Sequence, residues 1–349
     1  MQVLHKQVSV IGLDIGTSMI KAVKMTMKRK RFFLDNYALE PLEEGAIQLG
    51  EIKNPSILAQ ASLKAVKRCD PHIRDVVIAL PSYSILSDVL TMDLRPEKEI
   101  REAVMMEAQQ VSPFDMSEVE LDYAILSRDE SAKKMKVLMV VAKNDIILSY
   151  LDFLNEAGLR PVVIDVDLFA LTNVFHLNYD LEKYRSAILL NIGTENTIAA
   201  FIQGGVYHSS RDISVAGANF IRELKLIPNI TQEAVHNIVR GIVGQGLDLD
   251  SVKTALNKAS REFADSVDVA LSYLQSSDAI EKLDLIALSG GFAWVPGLIN
   301  VLELRTGTEV VVMDPFINIQ CSEAAIENAD PKKLGNLLSV AIGLGTRTS

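Results

Sequence analysis

Short apolar runs and amphipathic stretches alternate along the chain, and this alternation predicts a mixed α/β protein. The opening stretch, residues 8–25, reads VSVIGLDIGTSMIKAVKM: an apolar strand that ends at Asp14, a turn that contains Gly16, and a returning β-rich strand. A third β run covers residues 32–39. The chain is therefore predicted to begin with three consecutive strands.

Helix start signals divide the rest of the first half. Asn54-Pro55 combines a capping residue with a first-turn proline, and Pro96 opens a second helix. The apolar positions of that second helix are Ile100, Ala103, Val104, Ala108 and Val111. Two further strands are predicted after it, at residues 119–127 and 136–142, joined by a charged loop.

The opening pattern returns in the middle of the chain. Residues 187–197, AILLNIGTENT, form an apolar strand whose end, Asn191-Ile192-Gly193-Thr194, matches Asp14-Ile15-Gly16-Thr17 in order and residue type. A strand, a Gly204-Gly205 turn and another strand follow, as in the first half. The sequence therefore contains an internal duplication of a strand-turn-strand unit.

This duplication predicts two related domains. We place them at residues 1–180 and 181–349, with the boundary near the polar and aromatic segment 177–185. A third glycine turn, Ser289-Gly290-Gly291, follows a buried strand predicted at residues 283–288. Each of the three glycine turns thus follows a buried strand.

Composition narrows the setting of the protein. The 349 residues are 48% hydrophobic and 23% charged, as in globular proteins, and the start of the chain does not resemble a secretion signal. No apolar run approaches a membrane span, and two cysteines without metal or disulfide spacing favour a reducing cytoplasm. The net charge of −10 argues against nonspecific binding to nucleic acid or anionic lipid. We therefore interpret the basic run Lys28-Arg29-Lys30-Arg31 as a solvated turn.

The first glycine turn has the residues of a phosphate site. Backbone amides at Gly16 and the hydroxyls of Thr17 and Ser18 can converge on a phosphate. Asp14 can hold a hydrated Mg²⁺ beside that phosphate, and Lys21 can neutralise charge. Taken alone, the stretch is more simply explained as an ordinary hairpin. The recurrence of the pattern later in the chain favours the phosphate site.

Three segments, GLDIGTSMIK, LLNIGTENT and LSGGFAWVPGL, together resemble the two phosphate motifs and the adenosine motif of the superfamily of actin-like proteins, sugar kinases and heat-shock chaperones. This resemblance implies an actin-like ATPase fold, in which two duplicated βββαβα domains flank a nucleotide cleft. It implies ATP or ADP with Mg²⁺ as cofactor, the metal being held by Asp14 through water. The nucleotide-binding residues implied in this way are Asp14, Gly16, Thr17, Ser18, Lys21, Asn191, Gly193, Thr194, Glu195, Gly217, Gly290, Gly291 and Phe292.

A closer resemblance covers nearly the whole chain and is to the PilM family of type IV pilus assembly proteins. Two segments carry it, EIREAVMMEAQQVSPFDMSEVELDYAIL and VLMVVAKNDIILSYLDFLNEAGLRPVVIDVDLFALTN. The first segment is, in that family, an α+β subdomain inserted in domain one, here at about residues 93–142. The resemblance implies a cytoplasmic ATP-binding adaptor that captures the N-terminal peptide of the inner-membrane protein PilN and reaches the membrane through it, without inserting.

The same resemblance implies a role in pilus extension, retraction or twitching motility. Other pilus assembly proteins and a second copy of the chain are further partners that it suggests. We expect the peptide in a groove beside the insert, where a strand edge offers backbone hydrogen bonds and alternate side-chain pockets give specificity. A short apolar peptide with a basic residue would suit the acidic border of this groove. That border consists of Glu107, Asp115, Glu118 and Glu120.

The chain departs from the superfamily pattern at two places. Asn191 stands where the second phosphate turn usually has Asp, and an amide supplies no negative charge to a metal-bound water. Val235 and Val239 stand where Glu and Lys usually lie beside the adenosine. We therefore expect nucleotide binding with very slow or absent hydrolysis.

Two alternative functions remain open from the sequence. A small-molecule kinase of the same superfamily needs a carboxylate base in the cleft, and Asp165 and Asp167 are its candidates. A scaffold of the same fold that no longer binds nucleotide would account for Asn191, Val235 and Val239. Titration with ATP and Mg²⁺ distinguishes this scaffold from the adaptor.

Overall fold

The computed structural model of the chain describes residues 9–48, 50–242, 244, 247–276, 283–322 and 330–347. Residue 8, with which the first predicted strand begins, lies outside this part of the chain. The strands are β1 Ser9–Ile15, β2 Met19–Lys28, β3 Arg31–Pro41, β4 Ile47–Gln48, β5 Glu51–Ile52, β6 Asp75–Leu80, β7 Ile85–Asp93, β8 Val119–Asp129, β9 Lys134–Lys143, β10 Arg160–Val166, β11 Ser186–Ile192, β12 Thr197–Gln203, β13 Val206–Ile213, β14 Leu285–Ser289, β15 Val310–Val312 and β16 Gln320–Cys321. The helices are α1 Pro55–Cys69, α2 Glu97–Val111, α3 Asn144–Glu156, α4 Asp167–Asn178, α5 Gly217–Lys225, α6 Gln232–Val239, α7 Leu249–Ser276, α8 Leu298–Thr306 and α9 Pro331–Gly345.

The two halves of the chain contain sheets of the same plan. The strand order is β10-β6-β1-β2-β3-β16 in the first sheet and β13-β12-β11-β14-β15 in the second. In each sheet three successive antiparallel strands are followed by parallel strands that are reached through helices. The interior strand β14 is buried along its whole length, as expected when helices cover both faces of a sheet. The predicted duplication is confirmed.

Helix boundaries follow the local signals in the sequence. The side chain of Asn54 accepts a hydrogen bond from the Ile57 N–H at 3.2 Å, and Pro55 is the first residue of α1. Gly158 ends the turn after α3 with a φ of +66°, a conformation that favours glycine. Among the helices in the described part of the chain, none is long and apolar enough to cross a membrane.

The last helix, α9, packs on the first sheet although it belongs to the second half of the sequence. A Cβ added at Gly12 of β1 would lie 2.1 Å from the Ala341 carbonyl oxygen, and one added at Gly343 would lie 2.0 Å from that of Ala170 in α4. Glycine allows the backbones to approach this closely because it has no Cβ. The predicted second domain, 181–349, thus supplies both α9 and the short edge strand β16 to the first sheet.

The insert forms a separate three-stranded sheet with its own core. Its strand order is β7-β9-β8, and α2 packs on it through the buried Ile100 and Val104. Strand β7 pairs with β9 along its whole length, so this sheet begins at Ile85, before the start at residue 93 that the sequence suggested. Val111, which the sequence placed in the apolar stripe of α2, is 47% exposed because it is the last residue of the helix.

Candidate functional site

The first two glycine turns face each other at the junction of the two halves. Ser18 Oγ lies 3.1 Å from Thr194 Oγ1, although the residues are far apart in sequence. The turns have the same backbone geometry: the Gly16 N–H donates to the Met19 carbonyl at 3.2 Å, and the Gly193 N–H donates to that of Asn196 at 3.0 Å. The hydroxyls of both turns therefore point into one narrow space, where a phosphate oxygen can accept from either of them.

An ion pair lies beside the first turn. Asp14 and Lys21 are opposite each other in the register of β1 and β2, and their charged atoms are 2.8 Å apart. Both side chains are mostly buried, at 16% and 15% exposure. Since a phosphate and its metal ion carry opposite charges, they can interact separately with Lys21 and with the Asp14 carboxylate.

The donor set fits a Mg²⁺ ion that is carried mainly by phosphates and water. Mg²⁺ commonly keeps several waters and uses one or two carboxylates of the protein. Asp14 supplies one carboxylate at the edge of the turn. In the part of the chain that the structure describes, no group of three or more His, Cys, Asp or Glu side chains could hold a metal ion by itself.

The third glycine turn packs directly against the second. Gly290 has a φ of +90°, and a Cβ there would lie 2.5 Å from the Ile192 carbonyl oxygen and 2.7 Å from Asn191 Oδ1. The Asn336 side chain, from α9, donates to the Gly290 carbonyl at 3.0 Å. Asn191 therefore lies between the second and third turns. Asn336 was not predicted as part of the site from the sequence, because α9 is distant from these motifs along the chain.

Gly217 and Phe292 form the packing behind the second turn. The Phe292 ring lies so close to Gly217 that a Cβ there would be 2.2 Å from a ring atom. The Gly217 N–H donates to the Gly193 carbonyl at 2.9 Å, which fixes the start of α5 to the turn. Phe292 is only 8% exposed and belongs to the core of the second half. Contact of either residue with a nucleotide remains a prediction, as it does for the exposed Glu195.

Two polar groups lie beyond the third turn: Trp294, a residue of the adenosine segment LSGGFAWVPGL, and Lys333, which no sequence motif identified. Val235 and Val239 of α6 are core residues, 1% and 4% exposed. Lys333 Nζ instead donates to the Arg240 carbonyl at 3.1 Å and lies 5.8 Å from the centroid of the Trp294 ring. The Trp294 Nε1–H is buried, and no residue in the described ranges accepts a hydrogen bond from it. An orphaned donor of this kind marks a place where a ligand acceptor would be stabilised.

Asp167 has a strongly raised pKa and lies close enough to Asp14 for the charge of Asp14 to contribute. Burial raises its pKa to about 7, and the nearby charge of Asp14 adds to this, although hydrogen bonds from two backbone amides oppose it. Those amides are the N–H groups of Leu168, at 2.6 Å, and Ser82, at 3.0 Å. The other carboxylate at this strand-helix junction, Asp165, is 8% exposed and paired with Arg347 at 2.5 Å. Of the two kinase candidates, Asp167 is therefore the one available for proton transfer.

Tyr83 precedes the first strand of the insert, and carboxylates of both halves lie close enough to affect its pKa. Burial raises its pKa, and the charges of Asp167, Glu195 and Asp212 act in the same direction. The first of these carboxylates belongs to the first half, and the other two belong to the second. Tyr83 follows Pro81 at the end of β6, the position that corresponds to the third glycine turn after β14. No motif in the sequence identified it.

The four acidic residues predicted to border a peptide groove are all exposed on the insert. They are Glu107, Asp115, Glu118 and Glu120. Asp115 also has a structural role, since it accepts hydrogen bonds from the Ser117 amide and hydroxyl at 2.9 and 2.7 Å, which lower the pKa of its carboxyl. Strand β8 forms one edge of the insert sheet. The other edge strand, β7, approaches the second half, with Ser87 Oγ 3.1 Å from the Tyr207 hydroxyl.

A cavity of about 880 Å³ lies between α7 and α8, and none of the predicted nucleotide-binding residues lines it. Its lining combines Leu249, Leu256 and Leu304 with the cations of Lys253 and Arg261.

The paired turns between two duplicated halves define an actin-like ATPase fold. The chain is similar to MreB5 of Spiroplasma citri bound to ADP, with a TM-score of 0.53 and 14% identity over 96% of this chain and 94% of that one. It is also similar to the ethanolamine utilization protein EutJ from Carboxydothermus hydrogenoformans, with a TM-score of 0.54 and 13% identity over 97% and 89%. These likenesses show the fold alone.

A higher similarity relates the chain to a PilM-PilN type IV pilus biogenesis complex. The TM-score is 0.79, with 26% identity over 97% of this chain and 98% of that one. The family described as type IV pilus assembly protein PilM matches residues 12–349. The protein belongs to this family.

Proposed function

We propose that this protein is an adaptor of type IV pilus assembly that binds ATP or ADP with Mg²⁺ between its two halves and holds a peptide of PilN on its insert. The observation that carries the nucleotide part is the contact of Ser18 with Thr194 at 3.1 Å, beside the Asp14–Lys21 ion pair. A magnesium-bound polyphosphate needs hydroxyl and amide donors for its oxygens, a cation for its charge and a carboxylate for the hydrated metal. The two turns and the Asp14–Lys21 pair bring these groups to one place.

In this proposal each turn binds a different part of the polyphosphate. The Ser18 and Thr194 hydroxyls donate to phosphate oxygens, and Lys21 offsets their negative charge. Asp14 accepts from water on the Mg²⁺ ion, whose chemistry is to neutralise phosphate charge. The third turn holds the adenosine against the glycine backbone of Gly290 and Gly291, beside Trp294 and Lys333.

Slow or absent hydrolysis is part of the proposal. Attack on a phosphate requires an oriented water and a metal that offsets the developing charge. Asn191 packs on the third turn through its amide and supplies no charge for this purpose. Nucleotide would then act as a ligand that stabilises one arrangement of the two halves, and turnover would not be the main output.

The partner part of the proposal rests on the family and on the insert. A relative with 26% identity over nearly its full length forms a PilM-PilN complex. The edge strand β8 can add an extended peptide through backbone hydrogen bonds, and Glu118 and Glu120 lie exposed at the start of this strand. Binding there would recruit this protein from the cytoplasm to the inner membrane. At the membrane it would contact other pilus assembly proteins and support pilus extension, pilus retraction or twitching motility.

Calorimetry with two titrants tests the two parts separately. Wild type should bind ATP with Mg²⁺, and replacement of residues 116–122 by a Gly/Ser loop should abolish binding of the PilN N-terminal peptide while leaving ATP binding intact. Circular dichroism checks that the loop variant is folded. Peptide affinity that is unchanged in a folded variant would place the peptide elsewhere, and absence of ATP binding to the wild type would favour the nucleotide-free scaffold.

A kinase is the second candidate, and one observation favours it. Asp167 lies in the cleft with a pKa raised to about 7, which suits a general base near neutral pH. Phosphoryl transfer from radiolabelled ATP to small hydroxylated acceptors, lost in Asp167→Asn, would support this function. ATP binding without any acceptor-dependent ADP release would support the adaptor.

A further inference from the structure

The tip of the hairpin formed by β2 and β3 concentrates positive charge on an otherwise acidic protein. Lys28 and Arg31 pair across the end of the hairpin, and Arg29 and Lys30 form the two-residue turn between them. All four side chains are exposed. In the described part of the chain, Lys28 has one long ion pair, 3.8 Å to Asp35, while no ion pair within 4.0 Å involves the other three. The protein as a whole has a net charge of −10.

The turn has a backbone conformation that its residues do not favour. Arg29 and Lys30 have φ values of 51° and 63°, the left-handed region that two-residue hairpins usually fill with Asn-Gly or Gly-Gly. Strained residues of this kind persist where surrounding structure or function requires them, because a more favourable sequence is readily available.

The second half of the protein shows what the same turn looks like without such a requirement. Its equivalent hairpin, between β12 and β13, turns through Gly204 and Gly205 with φ values of 61° and 77°. That turn is held against the chain, because the Gly205 N–H donates to the Arg185 carbonyl at 3.1 Å. The duplicated fold thus accepts glycine at this position, so the geometry of the hairpin does not explain the two cations of the first half.

Apolar side chains accompany the four cations. Met27 pairs with Phe32 directly behind the turn and is 39% exposed. The ammonium group of Lys28 lies 5.3 Å from the centroid of the partly exposed Phe33 ring. Strand β16 runs parallel to β3 with Gln320 opposite Phe33, so Ile317, 54% exposed, precedes it on the side of the tip. Cations beside aromatic and apolar groups are typical of surfaces that rest on anionic bilayers.

We propose that this hairpin tip, Met27–Phe33, is a docking site for the anionic lipid surface of a membrane. The four cations interact with lipid headgroups, while Met27 enters the boundary between headgroups and acyl chains. The acidic remainder of the protein does not prevent this, because charges farther than about 8 Å are screened at physiological salt. The inference is independent of nucleotide and peptide binding.

A variant with the preferred turn sequence separates lipid binding from stability. Arg29→Asn combined with Lys30→Gly removes two charges and installs the favoured residues, so its thermal midpoint should equal or exceed that of the wild type. The full-length protein is sedimented with vesicles of phosphatidylethanolamine that contain about a quarter phosphatidylglycerol, and with neutral phosphatidylcholine vesicles. We expect the wild type to bind the anionic vesicles. The affinity of the variant for them should be lower by a factor of at least about ten.

The matched control removes two charges elsewhere. Lys98→Gln with Lys133→Asn changes two exposed lysines of the insert, and Lys133, whose φ is 53°, also lies in the left-handed region. This control should keep wild-type vesicle binding. Equal losses in the two variants would show a general charge effect and overturn the proposal. Equal binding to neutral vesicles would also overturn the proposal. Absence of vesicle binding would overturn it too, and would favour an acidic protein surface as the partner of the tip.

Discussion

The two duplicated halves share a backbone plan and differ in the charged side chains beside their first glycine turns. The first turn has Asp14 opposite Lys21 in the register of its strands, while the equivalent positions of the second turn hold Asn191 opposite Ile198. Ile198 is 6% exposed and belongs to a core. The turn geometry itself is the same in both halves. Duplication has therefore preserved the turn that we propose positions phosphate, and the ion pair beside it is present in one copy.

The third turn shows a second difference between the halves, and it should give the largest effect on stability. It follows β14, whereas the equivalent strand of the first half, β6, is followed by Pro81. Gly290→Ala should destabilise the fold by about 3 kcal/mol, because a side chain would meet the Ile192 carbonyl and φ is +90°. Gly291→Ala is the control and should cost less than about 1 kcal/mol, since its nearest neighbour would be 3.9 Å away. Urea denaturation measures both, and equal losses would show that the close approach at Gly290 is not real.

Charge asymmetry between the first two turns should appear in nucleotide affinity. Asp14→Ala should weaken binding of a fluorescent ATP analogue with Mg²⁺ by about 1–3 kcal/mol, because it removes the carboxylate that accepts from metal-bound water. Asn191→Ala, at the equivalent position, should weaken it by less than about 1 kcal/mol. Similar effects of the two substitutions would mean that the halves contribute equally to the metal.

Asp167 adds a pH-dependent term that belongs to the first half alone. Its pKa is about 7 in the folded protein and lies near 3.8 when unfolded, so between these values the native state holds the extra proton. Stability from this group is then present below about pH 4 and lost as pH rises toward 7. Asp167→Asn should therefore gain about 2 kcal/mol relative to wild type between pH 5 and pH 8. Denaturation at the two pH values tests this, and a pH-independent difference would contradict it.

The smallest effect is expected where the halves touch. Ser18→Ala and Thr194→Ala, measured singly and together, should show a coupling free energy of about 0.5–1 kcal/mol in the absence of nucleotide, the contribution of one exposed hydrogen bond. With nucleotide bound, the coupling should change, because each hydroxyl then donates to phosphate. Additive effects in both conditions would show that the two turns do not meet.

Sequence was sufficient for features encoded locally. The strand-turn-strand units, the starts of α1 and α2 and the three glycine turns depend on neighbouring residues, and they were predicted close to their observed places. The starts of α5 and α8 were each misplaced by two residues. The insert was recognised too, although its first strand was assigned to the domain around it because pairing partners are not visible in a sequence. Val111 was misplaced because helical periodicity does not show where the last turn loses its packing partner.

Other parts of the site depend on contacts between distant segments. Asn336 reaches the third turn from α9, Lys333 reaches the end of α6 from the same helix, and Arg347 reaches Asp165 from beyond it. The helical spacing of Leu334, Leu338 and Ala341 predicts a helix at the position of α9 and gives no information on which sheet that helix covers. Val235 and Val239 were noticed because they stand where the superfamily usually has Glu and Lys. Lys333, which lies near Trp294, comes from a different helix and was not predicted.

The position of α9 has a consequence for how the protein is made. Its residues Leu338, Ala341 and Ile342 are buried in a core that also contains Val174 and Phe175 of α4. When the ribosome has completed the strands of the first sheet up to β10, the surface that α9 will cover is still bare. At about 5–20 residues per second, α9 emerges on the order of ten seconds later or more. The first half therefore cannot complete its fold until the second half has been synthesised. During this interval its apolar surface is exposed and can bind chaperones.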